Sequence, residues 1–392
     1  MSSELKSMHM GQITSFFIPN VTLVGQHCSK EIPNRLKALG GKHPLVVTDK
    51  GIVACGILKQ ITDILDAAKV AYTVFDGAVP NPTDKNVEDA TKVYLDNKCD
   101  SLISIGGGSS HDCAKGVGFV AGNGGRIQDY EGVDKSNKPF PPYVAVNTTA
   151  GTGSEMTRFC IITDTARKVK MAIIDWRCTP SVAIDDPVLM MGMPPSLTAA
   201  TGMDALTHAV EAYVSTAATP MTDACAEKAM EYINRYLRRA VADGSDKEAR
   251  ANMALANSLA GFYMLCTSQH TMEHVMGSYH SGLAHGAGLI MISHEYFDFF
   301  AERKAAEEPM KKMARAMGVE NPRSGKDFVA ALDALIESVG CKDLKMSDAG
   351  ITREELRNYP KRIREVLGGD ITADPLPLSD EDYLGIYERS FR

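Results

Sequence analysis

Short runs of β-branched and other apolar residues alternate with helical patterns over the first half of the chain. Continuous apolar runs of this kind are typical of parallel strands that helices cover on both faces. Helical periodicity fills the intervals between the runs, for example over 56–68 and 87–95. The alternation predicts a doubly wound α/β domain. The predicted strands are Leu45–Thr48, Ala71–Phe75, Leu102–Ile105, Tyr143–Val146 and Ser181–Ile184.

The pattern changes at two places further along the chain. Residues 159–174 hold two strand-like runs around a short polar turn, which predicts a β-hairpin. Beyond Pro187 the strand runs end and long amphipathic segments follow, so the second half is predicted to be all helical. The predicted helices cover 221–242, 247–265, 301–317, 326–339 and 353–367.

A chain of 392 residues is too long for one ordinary hydrophobic core, so we expect two domains. The change of pattern places the boundary near residue 190. Residues 1–190 are then predicted to form an α/β domain and residues 191–392 an all-α domain.

Composition and charge narrow the class of protein. A net charge of −7, a pI near 5.8 and the lack of a basic tract argue against a nucleic-acid or anionic-membrane partner. The nine cysteines are scattered and never form a C-x-x-C pair, a pattern typical of reduced cytosolic thiols. The first residues lack the apolar region of a signal peptide, and no apolar run approaches membrane-spanning length. We therefore expect a cytoplasmic protein.

A glycine-rich turn follows the strand 102–105 and opens a helical pattern. Its sequence, Gly-Gly-Gly-Ser at 106–109, lets the backbone approach an anion closely, and the free N–H groups of a helix start favour phosphate. A plain glycine turn would have the same sequence. A second polar loop at 147–155 follows the strand 143–146 and favours the ligand-binding interpretation, because doubly wound sheets bind ligands at the carboxyl ends of their strands.

Asp49 ends the predicted strand 45–48, where a carboxylate can accept hydrogen bonds from a ribose and repel a 2′-phosphate. The same residue would also serve as a helix N-cap. The common G-x-G-x-x-G fingerprint is absent from the chain, so the predicted dinucleotide site is not of the standard Rossmann type.

The stretch 201–215 carries the strongest chemical signal. Asp204 and His208 are four residues apart on a predicted helix, which brings their side chains together. His270 and His274 repeat that spacing, and His285 follows in a glycine-containing segment that suggests a loop. One carboxylate and three imidazoles form a ligand set suited to Fe²⁺ or Zn²⁺. The predicted ligands are Asp204, His208, His270 and His285.

Three motifs resemble those of the group III, iron-dependent alcohol dehydrogenases. They are Gly-Gly-Gly-Ser-x-x-Asp-x-x-Lys at 106–115, Thr-Thr-Ala-Gly-Thr-Gly-Ser-Glu at 148–155 and Thr-Gly-Met-Asp-Ala-Leu-Thr-His at 201–208. Within that family the chain is most similar to 1,3-propanediol, lactaldehyde and bacterial methanol dehydrogenases.

The resemblance implies a dehydroquinate synthase-like fold, with an N-terminal dinucleotide-binding domain and a C-terminal helical domain that binds metal and substrate. It implies NAD and Fe²⁺ or Zn²⁺ as cofactors, a homodimer or larger homo-oligomer, and hydride transfer between a small primary alcohol or diol and its aldehyde. His274 would be the catalytic residue near the substrate. The residues that would contact NAD are Asp49, Asn81, Gly107, Gly108, Ser109, Thr148, Thr152 and Lys170.

The chain departs from the family's pattern at the fourth ligand. His285 lies eleven residues after His274, where the family typically has ten, and the local sequence is Leu-Ala-His-Gly rather than Leu-Pro-His-Gly. His280 is therefore a rival to His285.

Two other functions fit parts of the sequence. A lyase or polyol dehydrogenase on the same fold, like dehydroquinate synthase or glycerol dehydrogenase, would also use NAD and a metal. A dehydroquinate synthase site needs several basic residues, whereas the segment 261–266 is apolar. A metal-storing protein without turnover belongs to a different class, and net NADH production from an alcohol would separate the three.

Overall fold

The computed structural model describes residues 14–262, 266–366 and 373–392. Its regular elements begin with nine strands: β1 (Val21–Val24), β2 (Pro44–Asp49), β3 (Thr73–Ala78), β4 (Ser101–Gly106), β5 (Gly132–Val133), β6 (Tyr143–Asn147), β7 (Phe159–Asp164), β8 (Val169–Ile174) and β9 (Val182–Asp185).

Helices of the first half follow or separate these strands. They are α1 (Ile32–Ala38), α2 (Lys50–Ala54), α3 (Ile57–Ala67), α4 (Asp84–Asp96), α5 (Gly108–Asn123) and α6 (Pro187–Met190). The remaining helices are α7 (Pro195–Val214), α8 (Pro220–Ala242), α9 (Lys247–Gly261), α10 (Ser268–Tyr279), α11 (His285–Glu302), α12 (Glu307–Ala316), α13 (Gly325–Ser338), α14 (Tyr359–Val366) and α15 (Asp380–Ser390).

The main sheet has six parallel strands in the order β1-β9-β6-β4-β2-β3. Alternate residues of its central strands point to opposite faces, so that Val46 and Ile103 pack with α1 and α3 while Val47 and Leu102 pack with α4 and α5. Both faces are buried, which explains the continuous apolar runs in the sequence. The predicted doubly wound sheet is confirmed.

The predicted hairpin is also confirmed. β7 and β8 pair antiparallel with Thr163 opposite Lys170, and β5 adds a parallel partner to β8 in this second, three-stranded sheet. Sequence patterns did not indicate β1 or β5, because β1 is a short edge strand of partly exposed residues and β5 has only two residues.

Among the described residues after Pro187 every regular element is a helix, as predicted. Two boundaries were wrong. The predicted helix 301–317 is interrupted at 303–306, where Lys304 has a left-handed φ of 51°, so α11 ends and α12 begins there. The predicted helix 353–367 is a 3₁₀ turn (Glu355–Asn358) followed by α14. Residues 263–265 and Leu367, which two predictions included, lie outside the described residues, as does the chain start over 1–13.

The chain forms two compact units. The sheet unit contains Phe17–Met193 and also Ser245–Gly261, so it includes α9. The helical unit contains Pro194–Gly244 and Phe262–Arg392, together with the residues up to Phe16. Within the described part of the chain no helix is long and apolar enough to cross a membrane. The expected division of the chain into domains 1–190 and 191–392 stays a prediction.

Candidate metal and cofactor sites

Helix α7 places Asp204 and His208 in the interior of the helical unit. A proline at its first turn starts the helix, and every residue from Gly202 to Val214 is buried. The four-residue spacing puts the two side chains on one face, with Asp204 Oδ1 3.7 Å from His208 Nδ1. A helix buried on all sides must satisfy these polar groups inside the protein, which makes them candidates for ligation.

Two further histidines approach the same carboxylate oxygen. Asp204 Oδ1 lies 3.5 Å from His270 Nε2 and 3.6 Å from His285 Nε2. For ligands about 2.1 Å from a tetrahedral ion, the distance between two ligand atoms is about 3.4 Å. The separations around Asp204 therefore match the edges of a tetrahedron.

The donor set fits a divalent metal ion. Asp204 Oδ1 and His270 Nε2 are fully buried, and neither makes a hydrogen bond with a described protein group. Buried polar atoms without partners are costly, and an ion at their centre would satisfy both. Burial would raise the pKa of Asp204, but the neighbouring His208, His285 and His270 outweigh burial and hold that pKa well below its usual range. The carboxylate is therefore charged and ready to bind a cation.

Sequence reasoning missed two buried glutamates that contact the ligand histidines. His270 Nδ1 bonds to Glu211, and His285 Nδ1 bonds to Glu273. Because a carboxylate accepts, each Nδ1 donates to its glutamate, and each Nε2 faces Asp204, where it would bind a metal ion in its deprotonated form. Glu211 is seven residues after Asp204, on the same helix face, and this spacing is the signal that could have identified it.

The structure brings His285, not His280, to Asp204. His280 Nε2 instead lies 2.5 Å from Oε1 of Glu355. His285 is the first residue of α11, so the expectation that Gly286 and its neighbours form a loop was wrong. Gly286 lies in the helix, and glycine is needed there because a Cβ would lie 2.1 Å from the carbonyl oxygen of Ala200 on α7. The glycine permits close packing of two helices and thereby brings His285 to the cluster.

Two other groups of potential ligand atoms overlap this cluster. His274 has a ligand atom within 4.8 Å of ligand atoms of Glu273 and His285, and its ring centroid is 5.4 Å from that of His285. Cys266 forms a similar group with His208 and His270. The predicted metal and catalytic histidines therefore lie in one place in the helical unit.

In the sheet unit, the two predicted phosphate loops lie side by side. Gly106 at the end of β4 is opposite Asn147 at the end of β6, and Thr148 N–H donates to the carbonyl of Gly106 at 3.0 Å. A Cβ on Gly107 would lie 2.9 Å from Thr149 Oγ1, and one on Gly108 2.8 Å from Thr152. These glycines allow the second loop to pack on the start of α5, whose N-terminus includes Ser109. The arrangement suits a pyrophosphate.

Asp49 occupies the predicted position at the end of β2 and also caps a helix. Its Oδ1 accepts from the N–H of Ile52 at 3.0 Å, so it is the N-cap of α2, and its Oδ2 accepts from Ser110 Oγ at 3.3 Å. The N-cap interpretation is therefore confirmed, and the ribose contact stays a prediction.

Asn81 and Lys170 come from segments that meet at Thr163. Lys170 is opposite Thr163 in the hairpin, and Thr163 N–H donates to the carbonyl of Pro82 at 2.8 Å. Asn81 has a left-handed φ of 53°, which asparagine tolerates better than most residues. The structure therefore brings these two predicted contacts to one region of the sheet unit.

Asp112 and Lys115, the Asp and Lys of the motif at 106–115, have a structural role that the prediction of a phosphate-binding loop did not include. Lys115 is fully buried and its Nζ donates to the carbonyls of Ser154 at 2.7 Å and Phe159 at 2.6 Å. Asp112 accepts from Ser154 Oγ at 2.7 Å and from the N–H of Ile161 at 3.1 Å. Both side chains therefore hold the end of the second loop and the segment after it against α5.

Known proteins match the chain along most of its length. The family profile of iron-containing alcohol dehydrogenase matches residues 19–187, and the profile of the C-terminal part of the Fe-containing alcohol dehydrogenase family matches residues 198–391. The NAD-dependent methanol dehydrogenase of Bacillus methanolicus is 51% identical over 249 residues, 64% of this chain and 65% of that protein. The 1,3-propanediol dehydrogenase of Klebsiella pneumoniae is 38% identical over 385 residues, 96% of this chain and 98% of that protein.

A solved structure extends the similarity to the whole fold. A 1,3-propanediol oxidoreductase superposes with a TM-score of 0.92 at 37% identity, over 97% of this chain and 100% of that one. The chain belongs to the iron-containing alcohol dehydrogenase family and is an NAD- and metal-dependent oxidoreductase of that family.

Proposed function

We propose that the chain interconverts a small primary alcohol or diol and its aldehyde at a metal ion held by Asp204, His208, His270 and His285. The observation that carries the proposal is the buried Asp204 Oδ1, which has three histidine nitrogens at 3.5 to 3.7 Å and no hydrogen bond with a described protein group. A set of three imidazoles and one carboxylate accepts both Fe²⁺ and Zn²⁺.

Each cofactor supplies one part of the chemistry. The metal ion, when bound, supplies positive charge that lowers the pKa of the alcohol's hydroxyl group. NAD⁺, when bound, accepts the hydride that leaves the carbinol carbon. In the sheet unit the N–H groups at the start of α5 and the hydroxyls of the second loop would hold its pyrophosphate. The proposed NAD contacts are Asp49, Asn81, Gly107, Gly108, Ser109, Thr148, Thr152 and Lys170.

Glu211 and Glu273 would orient two of the ligand histidines. Each accepts a hydrogen bond from Nδ1 of its histidine, which would leave Nε2 to hold the ion. His274 is the proposed catalytic residue, because it is a titratable side chain in the group that also contains Glu273 and His285. It would take the hydroxyl proton as general base and return it in the direction of aldehyde reduction.

A direct test begins with the purified chain stripped of metal and reloaded with Fe²⁺ or Zn²⁺. NADH formation is followed by absorbance with NAD⁺ and a panel of alcohols that includes methanol and 1,3-propanediol. We expect turnover of primary alcohols by the loaded protein only. His270→Ala should lose metal and turnover together, and full activity of that variant without metal would refute the proposal.

The same assay addresses the alternatives. Product formation without net NADH would indicate a lyase, and turnover of polyols with secondary hydroxyls would indicate a polyol dehydrogenase. Metal uptake without any turnover would indicate a storage protein.

We further propose that the protein acts in the cytoplasm as a homodimer or larger homo-oligomer. Its net charge of −7 supports the absence of nucleic-acid and membrane partners, and light scattering of the purified protein tests the assembly.

A further inference from the structure

Asn257 makes two buried hydrogen bonds to the second cofactor loop, although it lies about a hundred residues further along the chain, on α9. Its side chain is fully buried. Its Oδ1 accepts from the N–H of Gly153 at 3.1 Å, and its Nδ2 donates to Oε1 of Glu155 at 2.7 Å. A backbone N–H can only donate, so the orientation of the amide is fixed and no other neutral side chain of this size offers the same pair of groups.

The next residue, Ser258, reaches the other end of the same loop through one intermediate. Ser258 Oγ donates to Asp185 Oδ2 at 2.7 Å, and Asp185 Oδ1 accepts from Asn147 Nδ2 at 2.8 Å. Asn147 is the last residue of β6, where the loop begins. Two consecutive residues of α9 therefore fix the loop at its start and at its end.

Close packing adds a third contact between α9 and the loop. A Cβ on Gly261 would lie 3.0 Å from Cβ of Met156 and 3.2 Å from Cα of Gly153. The last turn of α9 thus lies directly on the loop backbone. All of these residues belong to the sheet unit, so the contacts are internal to one compact unit.

Glu155 and Asp185, the two acids of this network, are fully buried, and burial favours their neutral forms. Burial raises the pKa of Glu155 well above its usual range, and the neighbouring Asp185 raises it further. Of the two carboxyl oxygens of Glu155, Oε2 has no hydrogen bond with a described residue. The other oxygen, Oε1, accepts its side-chain hydrogen bond from the amide of Asn257. A buried polar group that loses its partner is costly, and the loop would move to recover one.

We infer that Asn257 and Ser258 are positioning residues for cofactor binding: they hold loop 147–155 in the conformation that presents Thr148 and Thr152 to NAD. The inference rests on the proposed cofactor contacts of those two threonines. It assigns a cofactor-positioning role to a helix that contributes no proposed contact to NAD itself.

The test is calorimetric titration of the metal-loaded protein with NAD⁺, together with steady-state kinetics. Removal of two buried hydrogen bonds by Asn257→Ala should raise the Kd and KM for NAD⁺ about tenfold or more and leave kcat at saturating NAD⁺ nearly unchanged. Asn252→Ala is the matched control, because Asn252 is a partly exposed asparagine of the same helix whose side chain donates to the carbonyl of Glu248. We expect wild-type values for it.

If Asn257→Ala folds poorly, variants that exchange the hydrogen-bond donor and acceptor between residues 257 and 155 still test the inference. Asn257→Asp alone removes the amide that donates to Glu155 and adds a second ionisable group beside it in a fully buried setting, which should weaken NAD⁺ binding. Asn257→Asp combined with Glu155→Gln restores the pair, because the introduced carboxylate can accept from both the Gly153 N–H and the introduced amide. Recovery of NAD⁺ affinity in the double variant supports the inference.

Two results would overturn it. The first is an unchanged Kd for NAD⁺ in Asn257→Ala with only a lower melting temperature, and the second is a double variant no tighter than Asn257→Asp. The titration does not depend on turnover, so it separates this inference from the alcohol reaction. An unmodified protein that binds NAD⁺ but oxidises no alcohol would refute the proposed function and leave the loop test intact.

Discussion

Glu211 accepts a hydrogen bond from Nδ1 of His270, and both side chains are buried in the helical unit. The bond fixes the ring so that Nε2 points to Asp204 Oδ1 at 3.5 Å. Glu211 also accepts from the N–H of Thr267 at 3.1 Å and the hydroxyl of Thr267 at 2.7 Å. One carboxylate on α7 therefore holds both the start of α10 and the ligand that α10 carries.

Glu211→Gln should weaken metal binding without removing a proposed ligand. Glutamine has one acceptor oxygen, so it cannot accept both from Nδ1 of His270 and from the N–H groups of Thr267 and His270, and it lacks the charge that increases the basicity of the imidazole. Loss of such partners typically costs about 10–100-fold in metal affinity. Competition with a chelator measures the dissociation constant. Glu231→Gln, which affects an exposed ion pair with Lys228, is the control. Equal metal affinity in the two variants would contradict this role.

His285→Ala and His280→Ala separate the two candidates for the fourth ligand. His285 Nε2 is 3.6 Å from Asp204 Oδ1, whereas His280 is bonded to Glu355. We expect His285→Ala to lose bound metal after gel filtration and His280→Ala to retain it at the wild-type stoichiometry, measured by elemental analysis. Metal loss in His280→Ala alone would reverse the assignment.

The sequence predicted the parts of the fold whose pattern is local. The central strands have apolar runs because both faces of the sheet are covered, and α8 begins at Thr219–Pro220, a cap residue followed by a proline, which commonly starts a helix. The i,i+4 pair of Asp204 and His208 depends only on helix geometry, so its convergence was also predictable.

Features that depend on tertiary packing were not predictable in this way. Gly286 and Gly288 suggest a loop by composition, yet both lie in α11. Glycine is needed at these positions because a Cβ would meet Ala200 at Gly286 and Glu273 at Gly288. Helix α9 has an amphipathic pattern like its neighbours in the chain, and nothing in that pattern indicates that it folds with the sheet unit. Glu211 and Glu273 are identifiable only when the histidines they contact are known.

Gly286→Ala should be strongly destabilising. A methyl group would lie 2.1 Å from the Ala200 carbonyl oxygen, a backbone atom that cannot move aside cheaply. Overpacking of this kind typically costs about 1–3 kcal/mol or more. Gly282→Ala is the matched control, because nothing lies within 4 Å of a Cβ there. Urea unfolding of both variants measures the difference. Similar stability of the two variants would argue against tight packing of α7 and α11.

Because Gly286 follows His285, metal affinity should fall in Gly286→Ala as well.

Asp49→Asn should relax the preference for NAD over NADP. Asparagine is as good an N-cap as aspartate, so α2 keeps its cap, while the negative charge that would repel a 2′-phosphate is removed. We expect the ratio of kcat/KM for NADP to that for NAD to rise about tenfold, which corresponds to roughly 1.4 kcal/mol of relieved repulsion. Asp63→Asn, at an exposed position on α3, is the control. An unchanged ratio would show that Asp49 acts only as a helix cap.

Asp185 should make the stability of the protein depend on pH in mildly acidic solution. Burial raises its pKa from 3.8 to about 6, against the opposing hydrogen bonds from Ser258 and Asn147. The unfolded chain titrates near the ordinary value, so between these two values the folded state binds more protons, and its stability falls as the pH rises.

Asp185→Asn removes this titration and keeps both hydrogen bonds, because its amide oxygen can accept from Asn147 and its NH₂ can donate to Ser258. Relative to the variant, the wild-type protein should therefore lose roughly 2–3 kcal/mol of stability between pH 3.8 and pH 6. Denaturation midpoints of the two proteins, measured in parallel across this range, give the difference directly. A difference that does not change with pH would mean that Asp185 ionises as readily in the folded protein as in the unfolded chain.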